Sequence, residues 1–593
     1  MNLTKSVILG SATSLLVAGG AGAADLPVKA KAVEYVKICS LYGAGFFYIP
    51  GTDTCIKLGG YLRVDVNYNA GVSDAPFWNG EGAIRDRYAN WYNDLARMAL
   101  TVDTRTATEY GVVRTFGQVD LNFATYGAGN SIGYAGSLFP VASAGQLNNL
   151  TAGNGYVGVE YLLMQFAGFT FGKSASAYNT PWHGFLGNNT AYLVGGYDTV
   201  SGIVNAQYTA QFGNGVSLTV GVDDSSANQY NRTQIINAIG GAPALANLTL
   251  PGVPGTFAGA QGGQITFIGG CAPYYTPFGC AYGGAAVPDF VGNVRVDQAW
   301  GLFQISGAIH DNHAGYFQGA NVNTSVDALT GFNQAGFINF GHPHDAFGGA
   351  VEASLQIKNI PTGPGDDIKV DGSWSLGASK YVLGTAAPLP SSFNILNGSR
   401  YAMGIVTDAI YSGQSPGNCT AAVAGGLGCN GNPLTQLQLT RGWGFRGAFN
   451  HNWDAYWSTS LFGGIAGLSY NQTAKTLYCN TYVANAGVAI AGGGVTHGGG
   501  TGGIFAPGSV CDPGFTISEI GIVTRWSPVK NLTFSAEAMY TFLKTNMSGG
   551  AVPVSAATGG ATGPSTALVL PTTFYNFGSN GNASLNVRVQ RNF

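Results

Sequence analysis

Charge is what this sequence has least of. Of 593 residues only 9% are Asp, Glu, Lys or Arg, where an ordinary globular chain carries about 25%. A soluble exterior so poor in charge would self-associate, so much of the outside is expected to face something other than water. The deficit does not signal disorder, because 45% of residues are hydrophobic and 12% aromatic, and disordered tracts lack aromatics and carry high net charge. The formal net charge is −3, and no Lys/Arg cluster stands out of it. That excludes the basic footprint a nucleic-acid partner requires.

Long apolar runs are missing too. Beyond the N-terminus no stretch approaches the ~18–20 residues of a spanning helix. The N-terminus itself reads as an export signal over residues 1–23: Lys5, an apolar run from Val7 to Ala18, and the small-residue site Ala21-Gly22-Ala23. A mean hydropathy of +0.13 without a spanning helix leaves a secreted all-β protein or a membrane β-barrel. No Cys-x-x-Cys occurs, so zinc ribbons and thioredoxin-type motifs are unsupported. The eight cysteines instead fall as sequential neighbours: Cys39 with Cys55, Cys271 with Cys280, Cys419 with Cys429, and Cys479 with Cys511. Nearest-neighbour disulfides are the favoured reading among many possible pairings. Gly153 to Gly158 matches G-x-G-x-x-G but runs into a strand-like segment, which is the wrong context for a dinucleotide. His342, His344, His310 and His313 read as loop histidines without a third ligand. No metal or other cofactor is called for.

What is present is a period of two. Ile56, Leu58, Leu62, Val64, Val66 and Tyr68 share one face; Lys57, Tyr61, Arg63, Asp65 and Asn67 share the other. The end of the chain repeats the pattern, with Leu585, Val587 and Val589 opposite Asn586, Arg588 and Gln590. Sixteen such segments are expected, near 56–69, 95–104, 109–124, 156–166, 169–175, 203–212, 215–223, 289–299, 301–311, 349–359, 367–382, 441–452, 455–470, 515–526, 531–545 and 582–593. Short links, such as Arg105–Thr108, Gly213-Asn214, Trp300 and Ser527–Lys530, alternate with long ones at 125–155, 176–202, 224–288, 312–348, 383–440, 471–514 and 546–581. Alternating short and long links are the signature of an antiparallel up-and-down barrel. Seven structureless loops would argue against a soluble domain. Three of the four cysteine pairs fall in these loops, where closure restrains them.

The chemistry of the two faces decides the kind of barrel. An apolar face turned toward a protein core would leave the polar face as surface, rich in Lys and Glu, which it is not. An apolar face turned to lipid leaves a sparsely charged lumen, and sixteen strands are wide enough for an aqueous channel. Tyr68, Trp300, Trp457, Trp526, Tyr540, Phe542 and Phe593 near strand ends suit interfacial girdles.

The N-terminal stretch from Ala24 through Cys39-Ser-Leu-Tyr-Gly-Ala-Gly-Phe-Phe-Tyr-Ile-Pro-Gly-Thr-Asp-Thr-Cys55 to Arg63 resembles the alphaproteobacterial general porins, as do Arg97–Glu109 and the terminal Val587–Phe593. The resemblance implies a sixteen-stranded transmembrane barrel in the bacterial outer membrane, usually a homotrimer, passing small hydrophilic solutes and ions by diffusion. It divides the chain into signal peptide 1–23, a periplasmic segment 24–55 holding one cysteine pair, and the barrel 56–593. It also implies that the third long loop, 176–202, folds inward as the constriction. Loops 224–288 and 383–440 are larger than usual for that family.

Selectivity in such a pore is electrostatic. Alternation turns Lys57, Arg63, Arg97, Arg114 and Arg588 inward on strands that become neighbours on closure. This predicts a basic wall facing the loop acid Asp198, with Trp182 and His183 on the same loop. The competing reading pairs each arginine with an inward acid such as Asp65, Asp103 or Asp120. One loop acid predicts weak ion selectivity. Two other functions fit the sequence less well: a gated or substrate-specific channel, if 224–288 and 383–440 cover the mouth, and a plugged surface barrel acting as an adhesin. A secreted all-β enzyme comes last, since no nucleophile, base and orienter can be assembled.

Overall fold

The computed structural model describes residues 37–70, 91–124, 155–190, 193–198, 201–225, 235–238, 282–283, 285–315, 342–384, 392–412, 435–482, 487–490, 494–497, 509–551 and 575–593. The expected signal peptide lies outside the described residues. Cys271 and Cys280 lie outside them as well, and so do Cys419 and Cys429. Two of the four expected disulfides, Cys271 with Cys280 and Cys419 with Cys429, therefore stay expectations. The other two are formed, Cys39 with Cys55 and Cys479 with Cys511.

Sixteen long strands form one closed antiparallel barrel. They are β1 (Thr54–Tyr68), β2 (Tyr92–Thr108), β3 (Gly111–Ala124), β4 (Tyr156–Phe166), β5 (Phe169–Ser174), β6 (Ile203–Gly213), β7 (Val216–Asp223), β8 (Asp289–Asp297), β9 (Gly301–Asn312), β10 (Ala346–Lys358), β11 (Asp367–Leu376), β12 (Arg441–Asn452), β13 (Trp457–Ser469), β14 (Phe515–Val529), β15 (Leu532–Thr545) and β16 (Asn580–Asn592). Each pairs with its sequence neighbours, and β16 pairs with β1 from Tyr61↔Asn592 to Tyr68↔Leu585. All sixteen expected segments are therefore strands. Four features differ from expectation, the first being that Ser527–Val529 continues β14, with the reversal at Lys530-Asn531. Arg105–Thr108 is strand and not turn, because Arg105 pairs with Arg114 and the reversal waits for Glu109-Tyr110. The expected segment 367–382 stops at Leu376, where Gly377 takes φ 60° and Lys380–Leu383 coils into the short helix α1. An eighth long connection, 69–91, completes the alternation.

The tight reversals follow from residue type. Asn214-Gly215 and Ala167-Gly168 both take positive φ at two successive positions, the geometry whose twist matches flanking strands. β15 shows why the barrel is inside out. From Phe534 to Thr545 exposure alternates strictly. Phe534, Ala536, Ala538, Tyr540 and Phe542 point outward, while Ser535, Glu537, Thr541 and Thr545 are buried inward. All seven expected girdle aromatics are exposed, and Trp457 stacks on its cross-strand partner Trp526 at 5.8 Å between ring centroids.

At the short-turn end, Phe47–Tyr48 adds to β1 and the bond from Cys39 to Cys55 holds it there. The seam is closed by the last residue: Phe593 N–H donates to Gly60 O at 3.0 Å, and Gly60 N–H to Phe593 O at 3.2 Å. Gly60 takes φ 152°, and a Cβ there would collide with the Ala99 carbonyl.

At the long-loop end, α2 (Gln472–Tyr482) is tied by Cys479–Cys511 to the segment that leads into β14. Beside it the hairpin Ser392–Asn397/Arg400–Ile405 packs Phe393, Ile395, Met403 and Ile405 in one apolar cluster with Leu468, Phe515, Ile517 and Leu543. Those last four are inward positions at the outer ends of β13–β15.

Candidate pore constriction

The loop between β5 and β6, L3, runs inside the barrel because the wall offers its backbone partners all the way round. On the entering limb, Ser176 Oγ donates to Asp223 at 2.6 Å. Asn293 donates to Ala177 O at 2.6 Å and Gln304 to Asn179 O at 2.7 Å. Trp182 Nε1 then donates to Asp371 at 3.0 Å. At the tip Asn450 donates to Leu186 O at 2.8 Å. The N–H groups of Asn189 and Thr190 both donate to Glu537, and Arg588 donates to Asn189 O at 3.3 Å. On the return Val194 N–H donates to Glu519 at 2.9 Å, and Ser373 to Gly195 O at 3.0 Å. Carboxylates taking loop N–H groups are charge-assisted bonds, among the stronger available.

Packing reinforces the path. Trp182, Leu186 and Leu193 are buried with Ala448, Phe462, Val523 and Met539, and Tyr178 and Tyr197 with Tyr381 of α1. Glycines permit the contact: a Cβ on Gly195 would sit 2.6 Å from Phe445 O, and one on Gly444 would strike the Gly195 backbone.

The five expected wall cations separate into two levels. Arg63 stands opposite Arg97, and Asp65 opposite Arg588, so these three arginines meet at mid-height. Arg63 and Arg588 share Asp65 at 2.7 and 2.6 Å. Arg97 lies 3.1 Å from Asp120 and 3.7 Å from Glu160. Lys57 and Arg114 belong to a lower tier: Lys57 stands opposite Asp103, six residues from Arg63, or about 20 Å along the strand. There Arg105 and Arg114 both bind Asp103, at 3.1 and 3.0 Å, and Lys57 reaches over Phe46. Every wall arginine of the set is thus paired with an inward acid.

The loop residues are buried to different ends. Trp182 is a packing and hydrogen-bonding residue against β11. His183 takes φ 49° and lies 3.3 Å from the Asn179 amide; burial first, then Arg295, pushes its imidazole down to about 4. Asp198 is 2% exposed, turned against Gly184 of its own loop and within electrostatic reach of Arg446, so it does not confront the arginines across open lumen.

Sequence reasoning passed over the opposite wall. Arg446, 0% exposed, sits 2.8 Å from Asp371 and 3.4 Å from Glu352, directly behind the returning limb of L3. Glu519, Glu537, Lys369 and Arg525 also point inward. Their strand parity was a sufficient signal, and only charges near the two chain ends were followed. His310 is not the expected loop residue but a fully buried residue of β9, 2.7 Å from Asp289, because the strand runs on to Asn312; His313, just past it, lies 2.9 Å from Asp345.

The sequence relatives point the same way as the architecture. Porin Omp2b of Brucella suis biovar 1 (strain 1330) is 34% identical over 242 residues, covering 40% of this chain and 58% of the relative; that of Brucella melitensis biotype 1 is 33% identical over the same coverage. The chain therefore matches a little over half the length of these curated relatives. Among solved structures, the outer membrane channel DcaP of Acinetobacter baumannii aligns with a TM-score of 0.48 at 10% identity, over 92% of this chain and 99% of that one. Pseudomonas putida OprB aligns with a TM-score of 0.41 at 9% identity, over 91% and 94%. The family model described as "Porin subfamily" matches residues 25–565, and the chain belongs to that family.

Proposed function

We propose that this protein forms a water-filled pore in the bacterial outer membrane, through which small hydrophilic solutes and ions diffuse passively, and that it works as a homotrimer. The observation that carries the reading is the inside-out closed barrel narrowed by L3: apolar side chains outside, a charged and amide-rich wall inside, and a loop held across the lumen. Loop 176–202 is the constriction, with Arg63, Arg97 and Arg588 as its facing wall. Lys57 and Arg114 act lower, near the periplasmic end. Residues 1–23 are the export signal, and 24–55 form a periplasmic segment stapled to β1. Family membership points to a channel and not to an enzyme. Because wall arginines are neutralised by neighbouring carboxylates, ion selectivity is weak. Single-channel recording of folded protein in a planar bilayer tests this: large ohmic steps in threes with small reversal potentials are expected. Silence from inserted protein, or near-ideal selectivity, would overturn it.

A gated or substrate-specific channel is the second reading. It draws on the apolar packing of the 392–405 hairpin against the inner faces of β13–β15. Saturable block by one solute, or steps that grow when Phe393→Asp loosens the hairpin, would favour it.

A further inference from the structure

Beneath the tip of L3, on the short-turn side, lies a pocket of about 280 Å³ between the loop and β11–β14. Its roof is L3 residues Phe185–Asn188; its wall carries Lys369, Arg525, Ser458 and Ser460. The unusual feature is the state of the two cations. The inward arginines Arg63, Arg97, Arg105, Arg114 and Arg588 of the opposite wall each hold a carboxylate within 4 Å, whereas Arg525 is drawn to Glu537 only at longer range. It donates to Ser460 at 3.0 Å, to Gly187 O, and to Asn189 Oδ1 at 3.2 Å, all neutral acceptors. Lys369 lies 3.8 Å from Asp367, too long for a hydrogen bond. That carboxylate is already taken by the amides of Gln356 and Asn450. The neighbouring Asp366 is likewise occupied, by Thr362 and His451, each at 2.6 Å. Two cations thus share a small cavity while the nearby acids are satisfied by other donors.

We infer that this pocket is a binding site for a small multiply charged oxyanion of the phosphate class. The oxygens of such an anion accept hydrogen bonds from donors of the kind the pocket wall carries. The guanidinium of Arg525 brings a positive charge and, after its three bonds to Ser460, Gly187 and Asn189, still has N–H groups to give. The Lys369 ammonium supplies a point charge. Ser460, whose oxygen accepts from Arg525, has its own proton left to give, and Ser458 adds a second hydroxyl. A volume of about 280 Å³ gives ample room for a compact oxyanion between the loop and the wall. The site goes beyond diffusion through the pore and depends only on the folded barrel with L3 as its roof.

The test is calorimetric titration of inorganic phosphate into the full-length protein folded in uncharged detergent, at constant ionic strength. Saturable binding at one site per chain is expected. Lys369→Gln and Arg525→Gln should each weaken it about tenfold, the loss of one charge-assisted contact; Lys369→Arg should retain it, and Arg114→Gln should leave it unchanged. Arg525 also holds L3, whereas the ion pair of Lys369 is with Asp367 of its own strand, so Lys369→Gln with an unaltered melting curve is the deciding variant. No saturable heat, full binding in Lys369→Gln, or equal weakening in Arg114→Gln would overturn the site. Since binding is read without current, a protein that binds phosphate but does not conduct would sink the pore reading and leave the site standing.

Discussion

On β16 and β1–β3 the inward arginines are held by carboxylates of the wall itself: Asp65 lies between Arg63 and Arg588, and Asp103 between Arg105 and Arg114. On β10–β15 many inward charges serve the loop instead, with Glu537 and Glu519 taking L3 backbone N–H groups and Arg446 buried behind it. One half of the barrel uses most of its charge in pairs within its own wall, with Arg588 also reaching the loop, and the other uses charge mainly to hold the loop in place. The difference shows that charged residues of the same inward parity on equivalent strands need not do the same work; what stands opposite them decides.

The contrast breaks most sharply at Arg446. Arg446→Met leaves Glu352 and Asp371 buried without their cation, a loss of about 3–5 kcal/mol, and should release the returning limb of L3. The readouts are a lower unfolding midpoint and noisier, larger conductance. Next in size is the Cys479–Cys511 bond. Opening it by the double change to Ser frees a closure of 32 residues, worth about 3–4 kcal/mol on chain entropy. The loss should appear as early proteolysis around α2 with the barrel strands still protected. Gly444→Val wedges a side chain between β12 and the Gly195 backbone, at about 1–3 kcal/mol for overpacking. Wider steps without altered selectivity are the expected result.

Asp65→Asn tests the other half. It strips two guanidinium groups of their shared partner, so the reversal potential should move toward anions. Asp371→Asn, behind the loop, should move stability and leave the reversal potential in place. Equal shifts from both would erase the distinction between the halves.

The smallest effect concerns His183. Its imidazole titrates near 4, below the ordinary value of 6.5, so the unfolded chain takes up a proton before the folded one does. Stability therefore falls as pH drops from 6.5 toward 4, and is unaffected above that window. His183→Asn should flatten that slope in melts across pH 4–7, leaving reversal potentials between pH 6 and 8 unchanged.

Much of this architecture was legible because a barrel repeats one local rule. Alternation located all sixteen strands, and turn chemistry located most short links. The places where it failed are informative. The sequence places a short link at Arg105–Thr108, yet cross-strand pairing with Arg114 carries β2 on to Thr108. Inward parity found the five wall cations but could not fix their height; only register separates Lys57 and Arg114 from the mid-height three. Asp198 was legible as the loop's acid, whereas its turn toward Gly184 depends on the folded path of L3. Arg446 and Glu352 lie 94 positions apart, and no local pattern announces that they meet.

The seam between β1 and β16 has a consequence for how the chain is made. Asp65 and Arg588 meet across 523 positions of sequence, and the ring is fastened by the last residue, Phe593, on Gly60. Loop closure over so long a span adds little entropy beyond that of a shorter one, but it cannot occur before β16 has been made. Any chain stopped short of β16 would carry two bare strand edges, the kind of surface that templates aggregation. The pairing of β16 with β1 is thus a geometric check: only a chain that carries both can hide its own edges.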